Sequence, residues 1–106
     1  MRWYHYLACY FAGFWGLNLI PHLLHGISGQ AFPTPFASPP TVGLSSPLVN
    51  VAWALANLLL TYVLGRAGKL GWARPATLLA FFLGFATLAV VMAVVAAGRL
   101  HPAAAG

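Results

Sequence analysis

Two rows of polar side chains stand out along apolar segments, because they combine histidine, asparagine and tryptophan at helical spacing. The rows are Asn18, His22 and His25 in the first segment, and Asn50, Trp53 and Asn57 in the second. Intervals of three and four residues place each row on one face of a helix. Polar groups that faced lipid would lack hydrogen-bond partners, so we predict that the two rows face each other inside the protein.

Such rows fit two kinds of structure. They can form hydrogen bonds between neighbouring helices, or they can line a polar pocket that binds a small ligand. We keep the pocket as a binding hypothesis. His22 and His25 can also approach one metal ion, but a closed metal site needs about four ligands. We therefore predict no metal and no cofactor, and we keep metal or haem carriage as a minor alternative.

The segment after the histidines, residues 28–46, is an uncharged loop rich in proline and phenylalanine. A loop of this length is uncommon in a compact protein, and disordered linkers are usually charged and poor in aromatic residues. We predict that this 19-residue outer loop folds back over the helix ends as a lid, with Phe32 and Phe36 in the membrane interface.

The sequence contains no aspartate and no glutamate. Their absence excludes carboxylate general acids and bases, acidic proton relays, and magnesium or calcium sites held by carboxylates. No catalytic residue is predicted, and we expect that the chain is not an enzyme.

One short motif, Gly26-Ile27-Ser28-Gly29, resembles the GxSG motif of rhomboid intramembrane proteases. The resemblance implies that Ser28 is a nucleophile and that His101 is its base. Members of that family have six spans, whereas this sequence has room for three. We therefore interpret the motif as a glycine-rich helix end with a serine turn.

The elements that would position these residues are membrane helices. Hydrophobic residues make up 61% of the 106 residues and charged residues 5%, whereas soluble domains carry about 25% charged residues. Segments 3–26, 47–65 and 75–98 reach the length that is needed to cross a bilayer. The sequence predicts an all-α membrane protein with three transmembrane helices in a single domain.

The cations predict the orientation of these helices. Four of them, Arg2, Arg66, Lys69 and Arg74, fall on one side of a three-span arrangement, and Arg99 falls on the other. Because positively charged loops stay in the cytoplasm, we predict the N-terminus in and the C-terminus out, with 66–74 as a basic inner loop, in a bacterial inner membrane. Isolated cations at helix ends do not form the basic face that nucleic acid requires.

The first span raises the alternative of a signal peptide cleaved after Ala31. Its apolar region is longer than the roughly 7 to 15 residues of a signal, so we predict that the span is retained.

Small residues recur at the spacing that favours close helix packing. The positions that we single out are Ala12, Gly16, Ala52, Ala56 and Gly84. Three helices cannot use every such face, so besides the lipid bilayer we expect a second copy or a larger membrane complex as partner. The predicted function is a non-enzymatic accessory subunit or self-associating membrane module. The main alternative is an oligomeric conduit for a small solute or ion, lined by asparagine and histidine.

Overall fold

The computed structural model describes residues 1–100 and shows three α-helices joined by loops within them. The helices are α1 (Trp3–Ile27), α2 (Pro47–Ala67) and α3 (Pro75–Leu100). Each is long and apolar enough to cross a membrane, which confirms the predicted all-α class. Each helix also extends one or two residues beyond the span predicted for it.

Local sequence signals set the ends of the helices around the long loop. Gly29 has a φ of 71°, and the backbone N–H of Gln30 donates to the carbonyl oxygen of His25 at 2.8 Å. This is the left-handed glycine ending that satisfies the last carbonyl groups of a helix. At the start of α2, the Ser46 hydroxyl accepts from the Val49 N–H at 3.2 Å, while Pro47 takes the first helical position, where its missing N–H costs nothing.

The central element is α1, which packs against both other helices. Within residues 1–100, α2 and α3 do not pack against each other. Residues 15–22 of α1 and 91–99 of α3 line the same cavity, so these two helices run in the same direction. The bundle is therefore open between α2 and α3.

Glycines allow α1 and α3 to approach closely. A Cβ added at Gly13 would collide with the carbonyl oxygen of Phe81, and one added at Gly84 would collide with the carbonyl oxygen of Tyr10. At this crossing, a glycine of each helix lies against the backbone of the other helix. Close packing through small residues is typical of membrane helices. Nothing larger than hydrogen fits at either position.

The long loop lies at one end of the bundle, here called the loop end, and is held by its own hydrogen bonds. Phe32 and Ser45 exchange two backbone hydrogen bonds of 3.2 and 3.0 Å. The Thr34 hydroxyl, 1% exposed, bonds the Ser45 hydroxyl at 2.5 Å. The guanidinium of Arg99 donates to the carbonyl oxygen of Thr41 at 3.3 Å, which ties the last turn of α3 to the loop.

Candidate functional site

The two polar rows meet at the contact between α1 and α2. The Asn18 amide nitrogen donates to Oδ1 of Asn57 at 2.9 Å, and Nδ1 of His22 lies 2.8 Å from Oδ1 of Asn50. Asn50 and Asn57 have no exposed surface. These four residues form what we call the polar ladder, which joins the two helices through side chains.

Asn50 is the most highly connected member of the ladder. Its amide nitrogen faces the carbonyl oxygens of Phe32, Ser45 and Ser46 at 3.0, 3.2 and 3.1 Å. Because that nitrogen faces three acceptors, Oδ1 must be the atom that faces His22, and Nδ1 of His22 must carry the hydrogen. Asn50 therefore joins α1, α2 and both ends of the long loop.

Two further side-chain hydrogen bonds lie beside the ladder, one within α2 and one between α2 and α1. The Asn57 amide nitrogen donates to the carbonyl oxygen of Trp53 at 2.7 Å, and the Thr61 hydroxyl donates to the carbonyl oxygen of Ala12 at 3.2 Å. The bond from Thr61 to Ala12 joins two helices, and interhelical hydrogen bonds contribute about 0.6 kcal/mol each. The amide groups that a conduit would offer to a solute are thus already bonded to α1, to the long loop and to the backbone of α2.

His25 lies apart from the ladder. Its Nδ1 bonds the carbonyl oxygen of Pro21, one turn back in the same helix, at 2.7 Å. The imidazole stacks on the ring of Phe32 with a centroid distance of 4.0 Å, and the same phenylalanine touches His22 edge-on at 5.3 Å. Phe32 therefore covers both histidines.

Phe36 and Trp53 form an aromatic cluster beside the ladder. Phe36 packs edge-on against Trp53 at 5.2 Å, and Trp15 and His22 contact the indole at 6.3 and 6.4 Å. The indole Nε1 is buried and has no hydrogen-bond partner in the part of the chain that the structure describes. The ring is thus held by its aromatic neighbours.

The structure offers little for metal or nucleophilic chemistry. In residues 1–100, no group of three histidine, cysteine or acidic side chains could hold a metal ion. Ser28 is exposed at the end of α1, and His101, the base that the rhomboid resemblance implies, lies outside the described residues.

A cavity of about 820 Å³, here called the cleft, lies over α1 at the loop end, between α3 on one side and Trp53 of α2 with five residues of the long loop on the other. Its floor is α1, with Asn18 and His22, and its α2 wall is Trp53. The α3 wall is aliphatic, running from Val91 to Ala96, and Arg99 lies at its end. The predicted lid residue Phe32 also lines the cleft, whereas Phe36 does not.

Three of the residues predicted to line a pocket, Asn18, His22 and Trp53, line the cleft, but sequence reasoning missed its aliphatic α3 wall and the place of Arg99 in it. The cleft exists because α2 and α3 stay apart, and no spacing along the chain encodes the distance between two helices. The available signal was a lone arginine at the end of the most apolar segment.

The predicted packing residues divide into two groups. Ala12 and Gly84 are buried, and Gly16 is half-buried beside Thr61. Ala52 and Ala56 instead lie on an exposed face of α2, where they line a shallow groove with Val49 and Phe36. We call this surface the α2 groove.

The chain gave no match when compared with protein-family models, with characterised proteins and with solved structures.

Proposed function

We propose that this chain is a non-enzymatic membrane module that associates with a second copy of itself through the α2 groove. The observation that carries the proposal is the exposure of Ala52 and Ala56, one turn apart, on a helix with a single helical neighbour among the described residues. Small residues at this spacing let two membrane helices approach closely.

The face of α2 that packs against α1 is buried and separate from the α2 groove. It carries the buried residues Asn50, Ala54 and Asn57, of which the two asparagines belong to the ladder. The groove lies on another face, so α2 can hold α1 and a further helix at the same time. A two-fold axis would place the groove of one copy against the same groove of the next.

A role as an accessory subunit is the second form of the same proposal. In that form the α2 groove receives a helix of another membrane protein. The absence of any acidic side chain from the sequence supports a role in assembly, because most acid–base chemistry in proteins needs such groups.

The proposed site of action is a bilayer, with the bacterial inner membrane as the expected one. The helix lengths support the bilayer, and the four cations at the end opposite the loop support a cytoplasmic location for that end.

Native mass spectrometry in a mild detergent tests self-association. We expect the parent chain to be a dimer or larger, and the double variant Ala52→Leu/Ala56→Leu to associate roughly tenfold more weakly, because leucine side chains hold the two backbones apart. Ala97→Leu, on an exposed face of α3, is the matched control and should keep the parent's mass. A parent that is monomeric in detergent and resists cross-linking in membranes would overturn self-association.

A further inference from the structure

The cleft has the dimensions of a ligand site that is open to the bilayer. The lining residues span 15–22 on α1 and 91–99 on α3, which is roughly 10 to 12 Å at 1.5 Å per residue. Its volume of about 820 Å³ lies within the range of roughly 300 to 1,000 Å³ that is typical of small-molecule sites. Because α2 and α3 do not pack against each other within residues 1–100, the side of the bundle between them offers a molecule a path from the membrane.

The walls of the cleft suit a hydrocarbon chain. Val91, Val95 and Ala96 supply one side. On the floor, Asn18 is 9% exposed and His22 is 4% exposed, because the polar ladder already binds one side of each. A ligand in the cleft therefore meets mainly apolar surface.

The loop end of the cleft suits an anion. Arg99 is exposed and uses one N–H group on the Thr41 carbonyl, and a guanidinium carries five such donors. No aspartate or glutamate exists in the sequence to neutralise it. A phosphate group fits the planar fork of an arginine with two parallel hydrogen bonds.

From these observations, we propose that the cleft binds one anionic glycerophospholipid, with its phosphate at Arg99 and an acyl chain between the aliphatic face of α3 and Trp53 of α2. A zwitterionic lipid is disfavoured because its own cation competes for the phosphate, and the chain offers no acid to receive that cation. This inference is independent of the α2 groove and goes beyond self-association.

A helix of another chain is the competing occupant, and it is too large. A membrane helix crosses roughly 30 Å of hydrocarbon. The lining of the cleft extends only roughly 10 to 12 Å along α1 and α3, so a helix would meet the cleft along about a third of its length.

The test uses the full chain in nanodiscs of phosphatidylcholine that contain a small fraction of phosphatidylglycerol, with native mass spectrometry of the retained lipid. We expect the parent to retain one phosphatidylglycerol in preference to phosphatidylcholine by roughly fivefold, the effect of one cation near a membrane surface. Arg99→Gln should abolish the preference. Arg66→Gln, at the opposite end of the bundle, should preserve it.

A second pair of variants tests the cleft itself. Ala96→Trp places an indole in the cleft and should remove retention of both lipids, whereas Ala97→Trp, which does not line the cleft, should keep it. Ala93→Phe, also on the cleft wall, serves if Ala96→Trp does not fold. A preference that is absent from the parent or survives Arg99→Gln would overturn the proposal. The proposal would also be overturned if the variant that fills the cleft changed the oligomeric state while lipid was still retained. That result would show that a helix occupies the cleft.

Discussion

Asn50 shows how much a single side chain can organise in this protein. It has no exposed surface, and its amide group contacts His22 and three carbonyl oxygens of the loop and the start of α2. In hydrocarbon, polar groups deprived of these contacts have no water to replace them. Removing the Asn50 side chain therefore lowers the free energy of unfolding by an amount that includes the desolvation penalty of every partner left unpaired.

We accordingly expect Asn50→Ala to destabilise the protein by about 3 kcal/mol and Asn18→Ala by about 1 kcal/mol. Asn18 makes a single hydrogen bond, to Asn57, so its loss leaves one partner unpaired, whereas the loss of Asn50 leaves several. Denaturant unfolding in micelles, followed by circular dichroism, measures both variants against the parent. Equal losses would contradict the central role of Asn50.

At the scale of the helices, packing depends on where backbone meets backbone. The crossing of α1 and α3 is set by Gly13 and Gly84. At the loop end, Gly26 does the same for α1 and α2, since a Cβ there would lie 2.9 Å from the Pro47 carbonyl oxygen. Such contacts supply the van der Waals packing that associates helices in lipid.

Gly84→Ala should therefore lower the free energy of unfolding by about 2 kcal/mol, even though alanine favours an isolated helix over glycine. The added methyl group collides with the backbone of Tyr10, which cannot move without displacing α1. Gly71→Ala is the control, because a Cβ at Gly71 has no neighbour within 4 Å. The same micelle assay applies, and a Gly84 variant as stable as the Gly71 variant would show that the crossing is loosely packed.

At the scale of the whole molecule, α1 packs against both α2 and α3. The two ends of the bundle differ in chemistry. The loop end holds the cleft, the covered histidines and Arg99. The opposite end holds Arg66, Lys69 and Arg74 in and around a short connection. This asymmetry is the basis for the predicted orientation.

Cysteine labelling in intact cells tests that orientation, on a background in which Cys9 is replaced by serine. A cysteine at Ser38, which is exposed in the long loop, should react from outside. A cysteine at Gly71 should react only after permeabilisation. Gly68 is unsuitable for this purpose, because a side chain there would lie 2.6 Å from the carbonyl oxygen of His5. The reverse labelling pattern would refute the N-terminus-in orientation.

The sequence by itself determined the class of the protein and the extent of its helices. Composition and apolar length give three helices that are able to cross a bilayer. Signals such as Ser46, Pro47 and Gly29 act within a few residues of where they stand. The two polar rows were also visible, because helical spacing assigns residues to a face without any knowledge of the fold. All of these are local properties of the chain.

Only the tertiary structure decided what each face meets. Spacing alone treats Ala52 and Ala12 alike, yet Ala52 lies on an exposed face of α2 and Ala12 is buried. Spacing also groups His25 with His22, although His25 bonds its own helix. Whether α3 packs on α1 or on α2 depends on which pair of backbones approaches most closely. The glycine crossing places α3 on α1, and that choice opens the cleft and brings Arg99 to its mouth.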